Sequence, residues 1–273
     1  MSIVIDPINP VAFSVFGLPI RWYALAYIAA FVSGYFIMKK LTSQKDSEIY
    51  LTKKQMDDLL SYFVLGVIIG GRLGYVLFYN LPFFLHHPLE IFALWHGGMS
   101  FHGGFLGVIA ATILFVKNQK FESGTITKNS FKILDILAAL APIGLGLGRI
   151  ANFINMEVMG RATNSKLGIV FAGTTDIPRH PSPIYEATLE GLVLFIIMWF
   201  LYRKTKLRKY TGALSGMFCI LYAVFRIFCE QFRQPDAQIG FLTSWGLTMG
   251  MLLSGAVFMI GVTVLIFALR QKK

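Results

Sequence analysis

Two apolar stretches of this chain carry ionised side chains that a bilayer would reject, and a third opens on histidines. Arg149, Asn152, Asn155 and Glu157 follow directly on the run ILAALAPIGLGLG. Tyr222, Arg226 and Glu230 recur every fourth residue in a second run, one stripe on a helix face. His96-Gly-Gly-Met-Ser-Phe-His102-Gly-Gly heads the third. A charged side chain at bilayer depth costs at least about 2.5–3.5 kcal/mol, so it persists only against a partner, a water-filled cavity or a polar ligand. Arg149 and Asn152, three apart, share a helix face, and Gly144, Gly146 and Gly148 clear the turns before them for close backbone approach. With Arg72 added, the arginines exceed the carboxylates expected near them. Surplus guanidinium wants an anion, and phosphate suits its planar fork. Histidine is the side chain best suited to move a proton near neutral pH. The pattern describes a polar pocket sunk into a membrane from one side.

Each feature also has a plainer account. Arg226 and Glu230 can form an internal pair that locks helix packing. Arg72, in GGRLGYVLFYN, can rest on Tyr75 and Tyr79. His96 and His102 can bond backbone carbonyls at a helix start, and Trp22 and Tyr23 can anchor an interface. Ser182 can cap the helix whose first residue is Pro183.

These residues need walls, and the composition says what kind. Of 273 residues 55% are hydrophobic and 14% charged, with a mean hydropathy of +0.63; a soluble domain carries about 25% charged residues. The expected fold is all-α, a single polytopic membrane domain over residues 1–273 with seven spans. They lie near Ile20–Met38, Leu59–Tyr79, Met99–Val116, Ile133–Phe153, Ile184–Tyr202, Leu214–Phe232 and Trp245–Leu269. Basic residues alternate between connections: Lys39, Lys40, Lys45, Lys53 and Lys54; Lys117, Lys120, Lys128 and Lys132; Arg203, Lys204, Lys206, Arg208 and Lys209; then Arg270, Lys272 and Lys273. The positive-inside rule makes that side cytoplasmic, with the N-terminus outside and the C-terminus inside. It also accounts for the net charge of +11 without nucleic acid. On the other side, residues 80–98 lack Lys and Arg and suit an interfacial helix, and 155–183 form a polar outer segment. The first residues lack the basic n-region of a removable signal peptide.

Several other classes are disfavoured, of which a transporter and a seven-helix sensor or retinal protein stay open. No His-x-x-x-His, cysteine cluster or close carboxylate spacing marks a metal site. Cys219 and Cys229, about 15 Å apart if helical, read as buried free thiols. Ala213-Leu214-Ser215-Gly216 lacks the leading glycine of an intramembrane serine protease. A transporter for an anionic metabolite could use the same arginines, but an odd span count without inverted repeats disfavours it. A retinal protein would want a lysine in span seven, and Trp245–Leu269 has none.

Taken together, RWY (21–23), GGRLGYVLFYN (70–80), GGMSFHGG (97–104), GLGRIANFIN-x-E-x-x-GR (146–161), RHPS-x-x-YE (179–186) and FRIFCEQFRQPD (225–236) resemble the bacterial prolipoprotein diacylglyceryl transferases. The resemblance covers nearly the whole chain, in family order. It implies a seven-span inner-membrane enzyme that moves diacylglyceryl from phosphatidylglycerol to the lipobox cysteine of a secreted prelipoprotein, releasing glycerol phosphate, with no cofactor. Arg149 and Arg226 would hold the lipid phosphate. His102, Arg226 and Tyr23 would be catalytic, and Arg149, Asn152, Glu157, Gly160, Tyr222 and Glu230 would bind substrate. The substrate brings its own thiol, so the enzyme needs a base and positive charge, not a nucleophile. Departures are His96 where an acid is common, Met156 for a common Gly, Pro183 for a frequent Gln, and a short segment between Phe171 and Arg179.

Overall fold

The computed structural model describes residues 3–119, 121, 123–173, 176–235 and 240–271. Lys120, Thr174, Asp236, Lys272 and Lys273, which enter the charge pattern, the outer segment and the last motif, lie outside the described residues. Seven helices are long and apolar enough to cross a membrane: α1 (Trp22–Thr42), α2 (Lys53–Tyr79), α4 (Phe101–Asn118), α5 (Ile126–Ile154), a continuous helix Ser182–Lys204, α8 (Ala213–Glu230) and α9 (Met249–Arg270). The fifth of these is composite, with α6 (Ser182–Glu186) and α7 (Leu194–Lys204) joined by a π-helical stretch, Ala187–Val193.

All seven expected spans are helices, and most begin before the hydropathy does. At α2 the reason is local. Thr52 accepts from the Gln55 N–H at 3.2 Å while the Gln55 side chain accepts from the Thr52 N–H at 2.9 Å. This reciprocal cap starts the helix six residues ahead of Leu59.

The chain divides into two compact units, Met1–Ile37 with Ile136–Lys273, and Met38–Asp135. In the second unit α2 and α4 meet along glycines, Gly66, Gly70 and Gly74 against Gly103 and Gly107. A Cβ at Gly74 would stand 2.5 Å from the Gly103 Cα, and one at Gly66 2.7 Å from the Gly107 carbonyl oxygen. In lipid, where apolar burial does not drive helices together, such backbone contact does. The segment after α2 is not one interfacial helix but α3 (Leu81–His86) and two short 3-10 turns, Pro88–Phe92 and Leu94–His96. Pro82 and Pro88 each start a turn, and Pro88 has no N–H with which to continue the one before it.

In the first unit, β2 (Val11–Val15) and β3 (Leu18–Arg21) form a hairpin running into α1, and β1 (Ile3–Ile5) pairs in parallel with β4 (Ile169–Phe171). Neither short pairing was expected from the sequence. α8 packs on α9, where a Cβ at Gly216 would lie 2.8 Å from the Gly261 carbonyl oxygen. α5 crosses the π-helical stretch at Gly146 and Gly191; a Cβ at Gly191 would lie 2.5 Å from the Gly146 Cα. Of the three expected glycines only Gly146 makes a backbone crossing. Gly144 meets just the Ala30 side chain, and Gly148 faces open space.

Candidate active site

The Gly146–Gly191 crossing decides what Arg149 touches. It lies one turn below Arg149 on α5 and beside Glu190 on the facing helix. Arg149 Nε lies 2.8 Å from Glu186 Oε2, and Nη2 donates to Glu190 Oε2 at 3.4 Å. From α8, Arg226 Nη1 reaches the same Glu186 Oε2 at 3.0 Å and Glu190 Oε1 at 3.6 Å. Its Nη2 pairs with Glu230 Oε2 at 2.6 Å. Arg233 Nη1 lies 3.6 Å from Glu186 Oε1. One carboxylate oxygen thus bridges two guanidinium groups. The Glu186 and Glu190 side chains are fully buried, while Arg149 keeps 16% of its side-chain surface exposed.

Charge bookkeeping from the sequence therefore needs correction. Among the described residues three arginines meet three glutamates, so the ion pairs of this cluster balance when all are ionised. Glu186 and Arg233 enter the sequence reading only as parts of quoted motifs, and Glu190 and Thr248 are not singled out in it. A signal was available: two carboxylates four apart in IYEATLEGLVLF are as costly in lipid as the arginines and need partners as much. The π-helical stretch that carries Glu190 has no such signal; wide turns of this kind recur at functional sites.

The network continues outward. Arg149 Nη1 faces Asn152 Oδ1 at 3.5 Å, and Asn152 Nδ2 donates to the Tyr23 hydroxyl at 2.7 Å and to Glu157 Oε2 at 3.3 Å. Tyr23 arrives on the first turn of α1, behind the β2–β3 hairpin. Glu157 is returned to Asn152 by the way α5 ends. Glu157 N–H bonds the Asn152 carbonyl at 2.9 Å and Met156 N–H bonds that of Phe153 at 3.0 Å, with Met156 left-handed at φ +55°. That is a Schellman motif with methionine at the position that usually holds glycine. At the other end Thr248 caps α9 and donates its hydroxyl to Glu230 Oε1 at 3.0 Å. Tyr222 is buried one turn from Arg226 and stacks on Phe218, with ring centroids 5.9 Å apart.

Tyr23, Arg149, Asn152, Glu157, Arg226 and Glu230 are thus joined in one hydrogen-bonded network, with Tyr222 beside it. Gly160 sits outside it, where chains cross. Its N–H bonds the His180 carbonyl at 3.1 Å, and a Cβ there would lie 2.8 Å from the Phe232 carbonyl oxygen. His180 packs edge-on against Phe232, and partial burial holds its pKa below the ordinary histidine value. Ser182 does not cap its helix; its buried hydroxyl donates to the Val158 carbonyl at 2.8 Å, and Pro181 occupies the cap position. His102 belongs to the second unit, on the first turn of α4, which Ser100 caps by accepting from the Gly103 N–H at 3.3 Å.

Arg72, also in the second unit, is a different object. Nε donates to Ile91 O at 2.9 Å, Nη2 to Glu90 O at 2.5 Å and Ala93 O at 3.2 Å, and Nη1 to the carbonyls of Gly97 and Gly98. Its guanidinium carbon lies 5.2 Å from the Phe84 ring centroid, and Tyr75 and Arg72 both border Gly98. His96 bonds Glu90 at 2.7 Å on the surface. No group of three His, Cys, Asp or Glu side chains among the described residues could hold a metal ion.

The sequence pattern described as prolipoprotein diacylglyceryl transferase matches residues 10–267. The chain belongs to that family. Curated relatives named phosphatidylglycerol–prolipoprotein diacylglyceryl transferase align end to end. The protein of Desulfotalea psychrophila is 43% identical over 273 residues, covering 98% of this chain and 96% of the relative. That of Rhodospirillum rubrum is 47% identical over 266 residues, covering 97% and 94%. That of Methylocella silvestris is 46% identical over 268, covering 97% and 95%. Family membership and the seven apolar helices make this a multi-pass membrane transferase.

Proposed function

We propose that this chain transfers the diacylglyceryl group of phosphatidylglycerol to the lipobox cysteine thiol of a prelipoprotein. A C–S bond forms at the glyceryl carbon as its C–O bond to phosphate breaks, and the thiol proton leaves to a base. The products are a thioether and glycerol phosphate. The observation that carries this reading is the guanidinium pair bridged by Glu186, Arg149 being the more exposed of the two, in a chain that matches its family end to end. An arginine edge held in place before the substrate arrives stabilises charge on a departing phosphate without reorganising at the moment of reaction.

Roles follow from position. Arg149, more exposed than Arg226, contacts the lipid phosphate. Arg226, hemmed in by three carboxylates, fixes the charge field behind it. Asn152 and Tyr23 orient the lipid next to Arg149, with Glu157 and Glu230 buttressing each end. Tyr222 shapes the floor, and Gly160 keeps the outer chain crossing tight. His102 is assigned as the base for the thiol by side-chain type and family resemblance, not by position.

The assay is direct. Purified protein, phosphatidylglycerol and a lipobox peptide should yield a peptide heavier by one diacylglyceryl group, linked through sulfur. A peptide of unchanged mass would overturn the reading. We further propose that the site opens to the periplasmic side of the inner membrane, from the charge alternation. Glu90→Cys should then be labelled by an impermeant thiol reagent on intact spheroplasts, and Asp46→Cys and Lys206→Cys should not. The native Cys219 and Cys229 are buried. The reverse labelling would invert the orientation.

A further inference from the structure

We infer that Glu190 takes up a proton when the anionic phospholipid binds, making it the site's charge-compensating residue. The inference rests on the phosphate contact proposed above for Arg149.

The cluster is balanced while empty: Arg149, Arg226 and Arg233 against Glu186, Glu190 and Glu230. A phosphodiester adds one negative charge. Its own proton affinity is too low to shed that charge at any pH near neutral. Placed beside fully buried carboxylates it leaves an uncompensated charge in a poorly screened site, which is strongly unfavourable. A proton can cancel it, and distances select the acceptor. Glu186 Oε2 lies 2.8 and 3.0 Å from two guanidinium nitrogens, and Glu230 Oε2 lies 2.6 Å from a third, its other oxygen accepting from the Thr248 hydroxyl at 3.0 Å. At these separations the ion pairs are close ones. Glu190 is held only at 3.4 Å by Arg149 and 3.6 Å by Arg226. It gives up least by becoming neutral.

The groups facing Glu190 are Arg149 of α5, Arg226, Tyr222 and Cys229 of α8, Glu186 on its own helix, and Arg233 beyond α8. The first contact to slacken on protonation is that to Arg149 Nη2. This releases a donor of the arginine that the phosphate approaches. Glu190 is a positioning residue in this account: it touches Arg149, not the lipid.

The test is calorimetric. Short-chain dihexanoyl phosphatidylglycerol is titrated into the purified protein in two buffers of different ionisation enthalpy, from pH 6 to 9. Wild type should take up close to one proton per lipid bound over part of that range, with Kd weakening about tenfold per pH unit there. Glu190→Gln, already neutral, should take up none, and its Kd should stay flat with pH. Glu186→Asp, which keeps the charge of the cluster, should keep the uptake. Infrared difference spectra give a second readout on wild type: lipid should bring up a protonated-carboxyl stretch, shifted in Glu190→Asp. Saturable binding without proton uptake, or uptake that survives in Glu190→Gln, overturns the assignment and leaves the transferase reading intact. No saturable binding at any pH overturns both.

Discussion

Two buried arginine environments in this molecule solve the same problem in opposite ways. In the first unit Arg149 and Arg226 are neutralised by carboxylates and share Glu186 Oε2 between them. In the second unit Arg72 meets only backbone carbonyls, from Glu90, Ile91, Ala93, Gly97 and Gly98, and no ion pair involves it among the described residues. Carbonyls are fixed by their chain, so Arg72 is a staple: it satisfies the open ends of two 3-10 turns, the first of which Pro88 keeps from continuing α3. Carboxylates can be exchanged, protonated or outcompeted, so the cluster can accommodate a new anion. Burial of a charge alone does not mark a site. What marks it is burial among partners that can be redistributed.

The largest expected effect asks whether the second unit is scaffold only. An unperturbed thiol, with pKa near 8.5, is a few per cent thiolate at neutral pH, and a positioned base contributes roughly 10²–10⁴-fold. His102→Ala should lose about that much at pH 7 with subsaturating peptide. The deficit should shrink toward pH 9, where the thiol ionises unaided. His102→Gln bonds but takes no proton at the pH of the assay and should not restore the rate. A Gln variant near wild type, or a deficit flat with pH, would make the histidine an orienting group.

Next come the arginines themselves. Arg149→Ala should cost about 10²–10³-fold in transfer, the loss typical of one donor to a developing oxyanion. Arg149→Lys, a point charge without the fork, should recover only part of it. Arg226→Ala should instead lose fold and activity together, because three carboxylates are left facing one another; breaking a buried pair costs about 3–5 kcal/mol. The contrast fails if Arg226→Ala is well folded and merely slow, or if Arg149→Ala unfolds. At the staple, Arg72→Ala should destabilise by about 2–3 kcal/mol, since carbonyls bonded to a charged donor are orphaned. Whatever folds should transfer at a near-normal rate. A normal unfolding midpoint with lost transfer would place Arg72 in the site.

These contrasts also show how far the sequence could be read. Seven spans and the paired arginines, with Asn152 and Glu157 beside one of them, were legible because charge in apolar surroundings is conspicuous, whereas Tyr23 read as an interfacial anchor and joined the site only through the family resemblance. Charge partners were less so: Arg226 and Glu230 share a stripe, but Glu186 and Glu190 come to Arg149 only through the Gly146–Gly191 crossing, a tertiary contact with no local spacing. Arg72 was ambiguous for the same reason, since backbone carbonyls carry no residue type. Helix caps behaved unevenly. Thr52-x-x-Gln55 is a readable start signal, while Ser182, a good cap residue by type, bonds the Val158 carbonyl instead.

The smallest expected effect lies at the junction that aims Glu157. Met156 closes the Schellman motif at φ +55°, and Val158 beyond it sits at φ +59°. A left-handed L-residue costs roughly 1–2 kcal/mol, which glycine does not incur, though glycine loses more backbone freedom on folding. The departure from the glycine common in the family therefore carries a penalty, partly offset because Met156 packs with Phe153, Phe171 and Pro183 around a small pocket beside Glu157. Met156→Gly should gain about 0.5–1 kcal/mol in reversible denaturation if the backbone dominates. Met156→Asn, tolerant of the same φ, should fall between it and wild type. Transfer should change less than twofold, because the Glu157 N–H to Asn152 carbonyl bond fixes the turn in all three. If glycine destabilises, the methionine's packing outweighs its strain. If glycine stabilises but slows transfer severalfold, the strained turn itself sets the aim of Glu157 on Asn152, and the outer arm of the network is as finely positioned as the arginines it serves.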